Sequence, residues 1–184
     1  MKEVSVKSVL KEMINYWNEE FVNYPLSVRL VEEKLLLHKD HIKSYAYIND
    51  DNEFVSAIIL KRCLQGDVLT GYISFIFVKK EYRKQGIGTK MVNDALDIFK
   101  KLNLPRVWLG CDYGCLYSGL FIDNNEESHK FFLNRGFIFD HNTHNLILSK
   151  RIKFDKSLSG EYKYQLLSED LREEFLKFVL SNFS

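Results

Sequence analysis

Between Val6 and Phe21 the apolar residues Val9, Leu10, Met13, Ile14, Trp17 and Phe21 recur at three- and four-residue steps, which predicts an amphipathic helix. Asn23, Tyr24 and Pro25 interrupt it, and a second helix is expected over Ser27–Leu37. The period then changes. Ser44–Ile48 and Phe54–Lys61 read as strands of a hairpin about the polar turn Asn49–Glu53. After a turn at Gln65, Gly66 and Asp67, the run Gly71–Val78 (GYISFIFV) predicts a strand covered on both faces. A long amphipathic helix follows over Gly86–Lys101, with Ile87, Met91, Val92, Ala95, Leu96 and Phe99 inside, and Asn103 and Pro105 stop it. Arg106–Gly110 reads as a short strand and Asp112–Asp123 as a loop. Asn124, with Glu127 in capping-box position, opens a helix that ends at Gly136. Phe137–Asp140 and Asn145–Ser149 are expected as two more strands. An antiparallel meander followed by strand–helix–strand–helix predicts an α/β chain of the α+β type, with a mixed, mostly antiparallel central sheet and helices on both faces.

Beyond residue 150, Tyr162–Leu167 is strand-like. Ser168–Phe183 reads as a further helix with Leu171, Phe175, Phe178 and Val179 inside. The expected organisation is a domain over 1–150 and an extension over 151–184 that begins, or vestigially copies, a second module of the same kind. A terminal helix docked on its own domain is the plain alternative.

Composition narrows the function classes. The 184 residues carry 46% hydrophobic side chains, 14 Phe and 10 Tyr, which supports a folded core rather than disorder. The 26 basic and 25 acidic residues nearly cancel, so no global field recruits nucleic acid. No apolar run approaches the ~20 residues of a membrane span, and the charged opening MKEVSVKSVLKE is no signal peptide. Cys63, Cys111 and Cys115 form an odd set without disulfide or metal-site spacing. The expectation is a cytoplasmic protein with no metal, no nucleic-acid partner and no membrane partner.

The chemistry concentrates in Arg83-Lys84-Gln85-Gly86-Ile87-Gly88-Thr89, between an apolar strand and a long helix. The first N–H groups of a helix have no intrahelical partner, and the helix dipole favours an anion there. Gly86 and Gly88 remove side chains that would hold a phosphate off the backbone. Lys79, Lys80, Arg83 and Lys84 add positive charge. A dinucleotide fingerprint fails because Met91 stands where its third glycine belongs. A nucleoside-triphosphate loop fails because Gly88 is followed by Thr89 rather than Lys-Ser or Lys-Thr. The pattern R-x-x-G-x-G after a strand fits, and a glycine-rich turn without ligand is the bland alternative.

The segment IFVKKEYRKQGIGTKMV resembles the coenzyme A pyrophosphate motif of the GCN5-related N-acetyltransferases (GNAT). Some 40 residues on, Asn125 to Phe137 (NEESHKFFLNRGF) resembles that family's N-x-x-[AS]-x-x-F-[YF]-x-x-x-G-F segment. The resemblance covers about residues 4–150 and implies the acyl-CoA N-acyltransferase fold with acetyl-CoA as co-substrate. It implies that the strand ending at Phe77 and Val78 pairs with the pantetheine arm and that Gln85, Gly86, Ile87, Gly88 and Thr89 present N–H groups to the pyrophosphate. Arg83 and Lys84 would stand alongside, and Asn125 and Ser128 would contact the cofactor arm. Phe131 is expected in the core. Phe132 occupies the cofactor-side position where many relatives carry a tyrosine acid, and phenylalanine has no proton to give.

No general base stands out. Ser74 and Phe75 occupy the strand where some relatives place a glutamate. Asp112, Tyr113 and Tyr117 are the candidates for acid–base roles, each with a bland alternative in turn capping, packing or lining a substrate wall. His38, His41, His129, His141 and His144 are read as non-catalytic. Neither Cys111 nor Cys115 has an evident activating histidine for a covalent route. The expected activity is acetyl transfer to an amine, on a small molecule or peptide, by direct attack in a ternary complex. A strand N–H near Val78 would polarise the carbonyl oxygen. Glu19, Glu20, Tyr24, Glu32 and Glu33 are candidates to attract a cationic acceptor. A homodimer is allowed. The alternative is a non-catalytic acyl-CoA-binding module of a tandem protein; an RNA-binding role for Lys79–Lys90 ranks below both.

Overall fold

The computed structural model describes residues 1–114, 116–117, 119–121, 126–139 and 169–183. The chain divides into two compact units, Met1–Thr143 and His144–Ser184. In the first, Lys2–Val4 forms β1, and Ser5 caps a 3₁₀ turn, Val6–Val9, that runs into α1 (Leu10–Glu20). Ser27 caps α2 (Val28–Val31), which continues as a π-helical turn, Glu32–Leu36. Strands β2 (His41–Ile48), β3 (Phe54–Gln65) and β4 (Val68–Val78) follow, then α3 (Ile87–Lys101), β5 (Arg106–Leu109) and α4 (Glu126–Leu133). The five strands form one sheet in chain order. Its first three pairings are antiparallel and β4–β5 is parallel.

Side-chain alternation along the strands loads both faces. Ala57, Ile59, Phe75 and Phe77 pack with Met13, Ile14 and Trp17 of α1 and with Val31 and Leu35 after it. Ile58, Leu60 and Ile73 pack on the other face with Ile87, Met91, Ala95 and Phe99 of α3. The unbroken burial of Phe54–Lys61 follows from this two-sided cover.

The β3–β4 ladder slips by one residue: Ile59 faces Phe75 but Leu60 faces Ile73, which makes Ser74 the extra residue of a β-bulge. The β4–β5 pairing runs only from Thr70–Arg106 to Ile73–Leu109, and Gly110 closes it with an N–H bond to Ile73 O at 2.9 Å. Beyond the bulge β4 continues for four residues, Phe75–Val78, with no strand on its β5 side among the described residues.

Several expectations need correcting. β1 was not legible: three residues are too short for a period, and its place is set by pairing Val4 with Ala46. β3 and β4 overrun their apolar cores because the hairpin ladder persists past the buried part, to Gln65↔Val68. Phe137–Phe139 form no strand; the Phe137 N–H instead closes the end of α4 on Phe132 O at 3.3 Å. Asn124, Asp140, Asn145–Ser149 and Tyr162–Leu167 lie outside the described residues. In the second unit α5 spans Arg172–Phe183, as the sequence predicts, but Phe175 and Phe178 are 46% and 56% exposed rather than inside. Its apolar residues 175, 176, 178, 179 and 180 point to too many directions for one face to bury them all.

Candidate functional site

Where β4 parts from β5, a cleft of about 660 Å³ opens, lined from β4 (Ile73–Val78), Leu109–Gly110, the α1–α2 connection, Gly88 of α3 and the α4 face bearing Ser128, Phe131 and Phe132. That volume suits a small-molecule or cofactor site. Lys79 N donates to Val55 O at 2.9 Å, which fixes the ladder's phase. With Val78 opposite Ser56 and Ile76 opposite Ile58, strand alternation turns the N–H and C=O of Ile76 and Val78 away from β3 and toward the cleft. The side chains of Phe75 and Phe77 belong to the α1 face and those of Ile76 and Val78 to the α3 face, so the cleft runs past the strand edge from one side of the sheet to the other.

On the α3 side lies the helix N-terminus. Gly86 is the N-cap, in the left-handed region at φ 83°, and no side chain caps the helix. The first bond back to it is Lys90 N to Gly86 O at 2.9 Å, which leaves the N–H groups of Ile87, Gly88 and Thr89 without intrahelical partners. A Cβ on Gly86 would meet nothing within 4 Å, so open space lies in front of the helix. One on Gly88 would sit 3.4 Å from the Phe131 ring. Uncapped amides, open space and a hydrogen-bonding strand edge together fit a diphosphate carrying an amide-rich arm.

The predicted cations are placed differently from the expectation. Arg83 does not stand free beside the amides. Its Nε donates to Val78 O at 2.8 Å, and one Nη reaches both carboxylate oxygens of Glu20 at 2.6 Å. Lys84 pairs with Glu127 at 2.9 Å, and that hydrogen bond holds the Glu127 carboxyl below its usual range. Both partners are close to 80% exposed, so solvent screens the pair and it gives way readily. Gln85 turns back to Glu81 O. Ser128 and Phe132 line the cleft, while Asn125 lies outside the described residues. Phe131 is not core: it is half-buried at the cleft floor, with Phe132 the buried one at 6% exposure.

Arg135, which the sequence left without a role, lies 3.6 Å over the Phe131 ring and donates to Phe131 O and Thr89 Oγ1, joining α4 to the first turn of α3. Nothing local in the sequence marks it, since the link spans 46 residues.

On the α1 side the cleft is aromatic. Trp17 stacks on Tyr117 at 5.7 Å and Tyr24 on Phe121 at 3.8 Å. The carbonyl of Tyr24 accepts from both Trp17 Nε1 at 2.8 Å and Tyr117 Oη at 2.7 Å. Burial pushes the Tyr117 phenol up to about 12. His129 Nε2 lies 3.3 Å from Phe121 O and so braces the same wall. Of the other candidates, Tyr113 is 77% exposed and does not line the cleft. Asp112 is 2% exposed and lies at 2.5 Å from Lys61 Nζ, itself fully buried; this ion pair ties the start of the loop to β3. His38 Nδ1 lies 3.7 Å from the Asp40 carboxylate. Among the described residues no group of His, Cys, Asp or Glu is arranged to hold a metal, and no helix is long and apolar enough to cross a membrane.

Comparison with known proteins gives the class. The chain belongs to the acetyltransferase (GNAT) family, whose model matches residues 10–137. Among curated proteins it is similar to N-alpha-acetyltransferase 30 of Schizosaccharomyces pombe, 32% identical over 89 residues, which cover 48% of this chain and 53% of that protein. The chain therefore spans about half the length of that relative. Among solved structures it resembles the GCN5-related glucosamine N-acetyltransferase region of a fungal multi-domain GH3 β-N-acetylglucosaminidase, with TM-score 0.69, 19% identity and coverage of 77% of this chain and 17% of that one. It also resembles an aminoglycoside acetyltransferase from an uncultured soil metagenomic sample, in complex with sisomicin, with TM-score 0.55, 13% identity and coverage of 82% and 95%. At these identities the solved structures establish the fold alone.

The Lys61–Asp112 pair generates a stability test. Lys61→Met leaves a buried carboxylate without its cation and is expected to cost about 3–5 kcal/mol in denaturant unfolding, whereas Lys61→Met with Asp112→Leu recovers most of that loss. A single variant as stable as the parent would show that the pair does not hold the loop.

Proposed function

We propose that this chain transfers the acetyl group of acetyl-CoA to an amine acceptor bound in the same cleft. The observation that carries the reading is the open edge of β4 beside the uncapped N-terminus of α3. The amides of Ile87, Gly88 and Thr89 would hold the diphosphate, with Gln85 and Gly86 in the approach loop and Lys84 exchanging Glu127 for it. The pantetheine arm would add to β4 through the outward N–H and C=O of Ile76 and the N–H of Val78, whose carbonyl already accepts from Arg83 Nε, against Ser128, Phe131 and Phe132. Acetyl-CoA supplies an acetyl carbon in thioester linkage: the amine nitrogen bonds to it as the carbon–sulfur bond breaks, and the nitrogen's proton passes to water while the sulfur takes one from water.

The chain's own contribution is then placement and polarisation. An N–H on the outward edge of β4 near Val78 is fixed before the reaction and aimed at the carbonyl oxygen, an arrangement worth roughly 10²–10³ in rate. Holding two reactants from opposite faces of the sheet at the strand edge supplies a further large share. Acid–base help, commonly about 10²–10⁴, is smaller than the share that placement supplies. That ordering is consistent with Phe132 in place of a tyrosine and with Asp112 engaged elsewhere. Tyr117 acts as a wall, its proton directed at Tyr24 O. The 151–184 extension as the start or remnant of a second module, a cytoplasmic setting and homodimerisation remain proposals beside this one.

Gly86→Glu is expected to weaken acetyl-CoA binding at least about tenfold, because a negative charge then faces the amides. Gly86→Ala carries the same left-handed backbone strain, roughly 1–2 kcal/mol, but should bind nearly as the parent. Calorimetric titration of both decides it; equal affinity in a folded Gly86→Glu variant would move the diphosphate elsewhere. Tyr117→Phe should lower kcat by less than about tenfold and leave the pH–rate profile in place, whereas a loss within the 10²–10⁴ range of general acids would make Tyr117 the proton donor.

A further inference from the structure

Resting on that reading, we infer that the acceptor is a primary amine carried on an uncharged, apolar body, and that Arg83 enforces this choice by neutralising Glu20. Among the described residues lining the cleft only two bear carboxylates, Glu20 and Glu127. Each already has a cation, Arg83 at 2.6 Å and Lys84 at 2.9 Å. Glu127 stands on the α3 side, facing the solvent near the amide cradle. Glu20 is the carboxylate at the end of α1, beside the aromatic wall, and its side chain is 28% exposed. A polycationic acceptor needs free carboxylates to replace the hydration of its extra charges; on the acceptor side it would find none among the described residues, because Glu127, even once Lys84 turns to the diphosphate, stands on the α3 side.

The same wall offers ring surface instead. Phe21, Tyr24, Tyr117 and Phe121 are each partly exposed around the buried Trp17. An aromatic or branched aliphatic group laid against them gains about 10–100-fold in kcat/KM by leaving water. One ammonium on such a body is tolerated, because ring faces attract a cation and the reacting nitrogen must shed its proton before attack.

Arg83 is well placed to enforce this. Its Nε is anchored on Val78 O and its Nη spans both Glu20 oxygens, so the charge of Glu20 is cancelled by a group fixed to the strand. The sequence assigned Arg83 to the diphosphate; its hydrogen bonds point it at the acceptor side.

The experiment measures kcat/KM for four acceptors with acetyl-CoA: a phenylalanine-led peptide, phenethylamine, a lysine-led peptide and spermidine. The peptide pair and the free-amine pair separate a chain terminus from a small molecule as the source of the apolar amine. The expected result is a preference of at least about tenfold for the apolar member of one or both pairs. Arg83→Gln frees the Glu20 charge and should narrow that preference severalfold, and Arg83→Gln with Glu20→Gln should restore it; acetyl-CoA affinity and Tm, measured in parallel, separate cofactor and folding effects. A parent protein that favours the cationic members overturns the inference while leaving acetyl transfer standing. An Arg83→Gln variant that folds, binds acetyl-CoA and keeps the parent's preference overturns the role of Arg83. No turnover on any of the four, with acetyl-CoA bound, overturns the transferase reading itself.

Discussion

Everything at the cleft depends on the departure of β5 from β4. A parallel pair held only as far as Ile73 leaves the rest of β4 with outward N–H and C=O groups that a buried sheet would have to satisfy. The bulge at Ser74 makes the departure possible by inserting a residue at the point where pairing stops. The cleft is thus not a hollow between side chains but a missing stretch of ladder. What fills it should be something that can hydrogen-bond as a strand does.

The electrostatics around that edge divide in an unexpected way. A run of basic residues next to a glycine-opened helix reads as one cationic patch. In the folded chain Lys79 lies 3.9 Å over the Tyr16 ring, Arg83 pairs with Glu20, Lys84 with Glu127 and Lys90 with Asp94. The amides at the start of α3, by contrast, have no intrahelical partner and are fixed in direction. The side chains serve to knit α1, α3 and α4 to the strand.

Most of the layout was legible in the chain. Long periodic runs such as Leu10–Glu20 and Ile87–Lys101 declare their buried stripes, and the strand–glycine–helix order at Val78–Ile87 locates the glycine-opened start of α3 before any coordinates exist. What escaped was non-local. The three residues of β1 have no period of their own. The partners of Arg83 and Arg135 lie 63 and 46 positions away, and the Lys61–Asp112 pair joins residues 51 apart. Phe131 and Phe132 are adjacent in an apolar helix segment, and which of them turns into the core follows from how α4 settles on α3 rather than from either residue's chemistry. Asn125, read from the family pattern, lies outside the described residues.

The carbonyl of Tyr24 has a consequence of its own. One oxygen receives the indole of α1 and the phenol of the loop after β5, so two segments distant in sequence share a single hinge pin. Tyr24 cannot swing outward without stripping both donors of their acceptor at once. A shift of that one carbonyl therefore unseats both segments together. Divergence toward a bulkier guest would proceed by trimming a ring that projects between them, since widening the gape would mean giving up the joint.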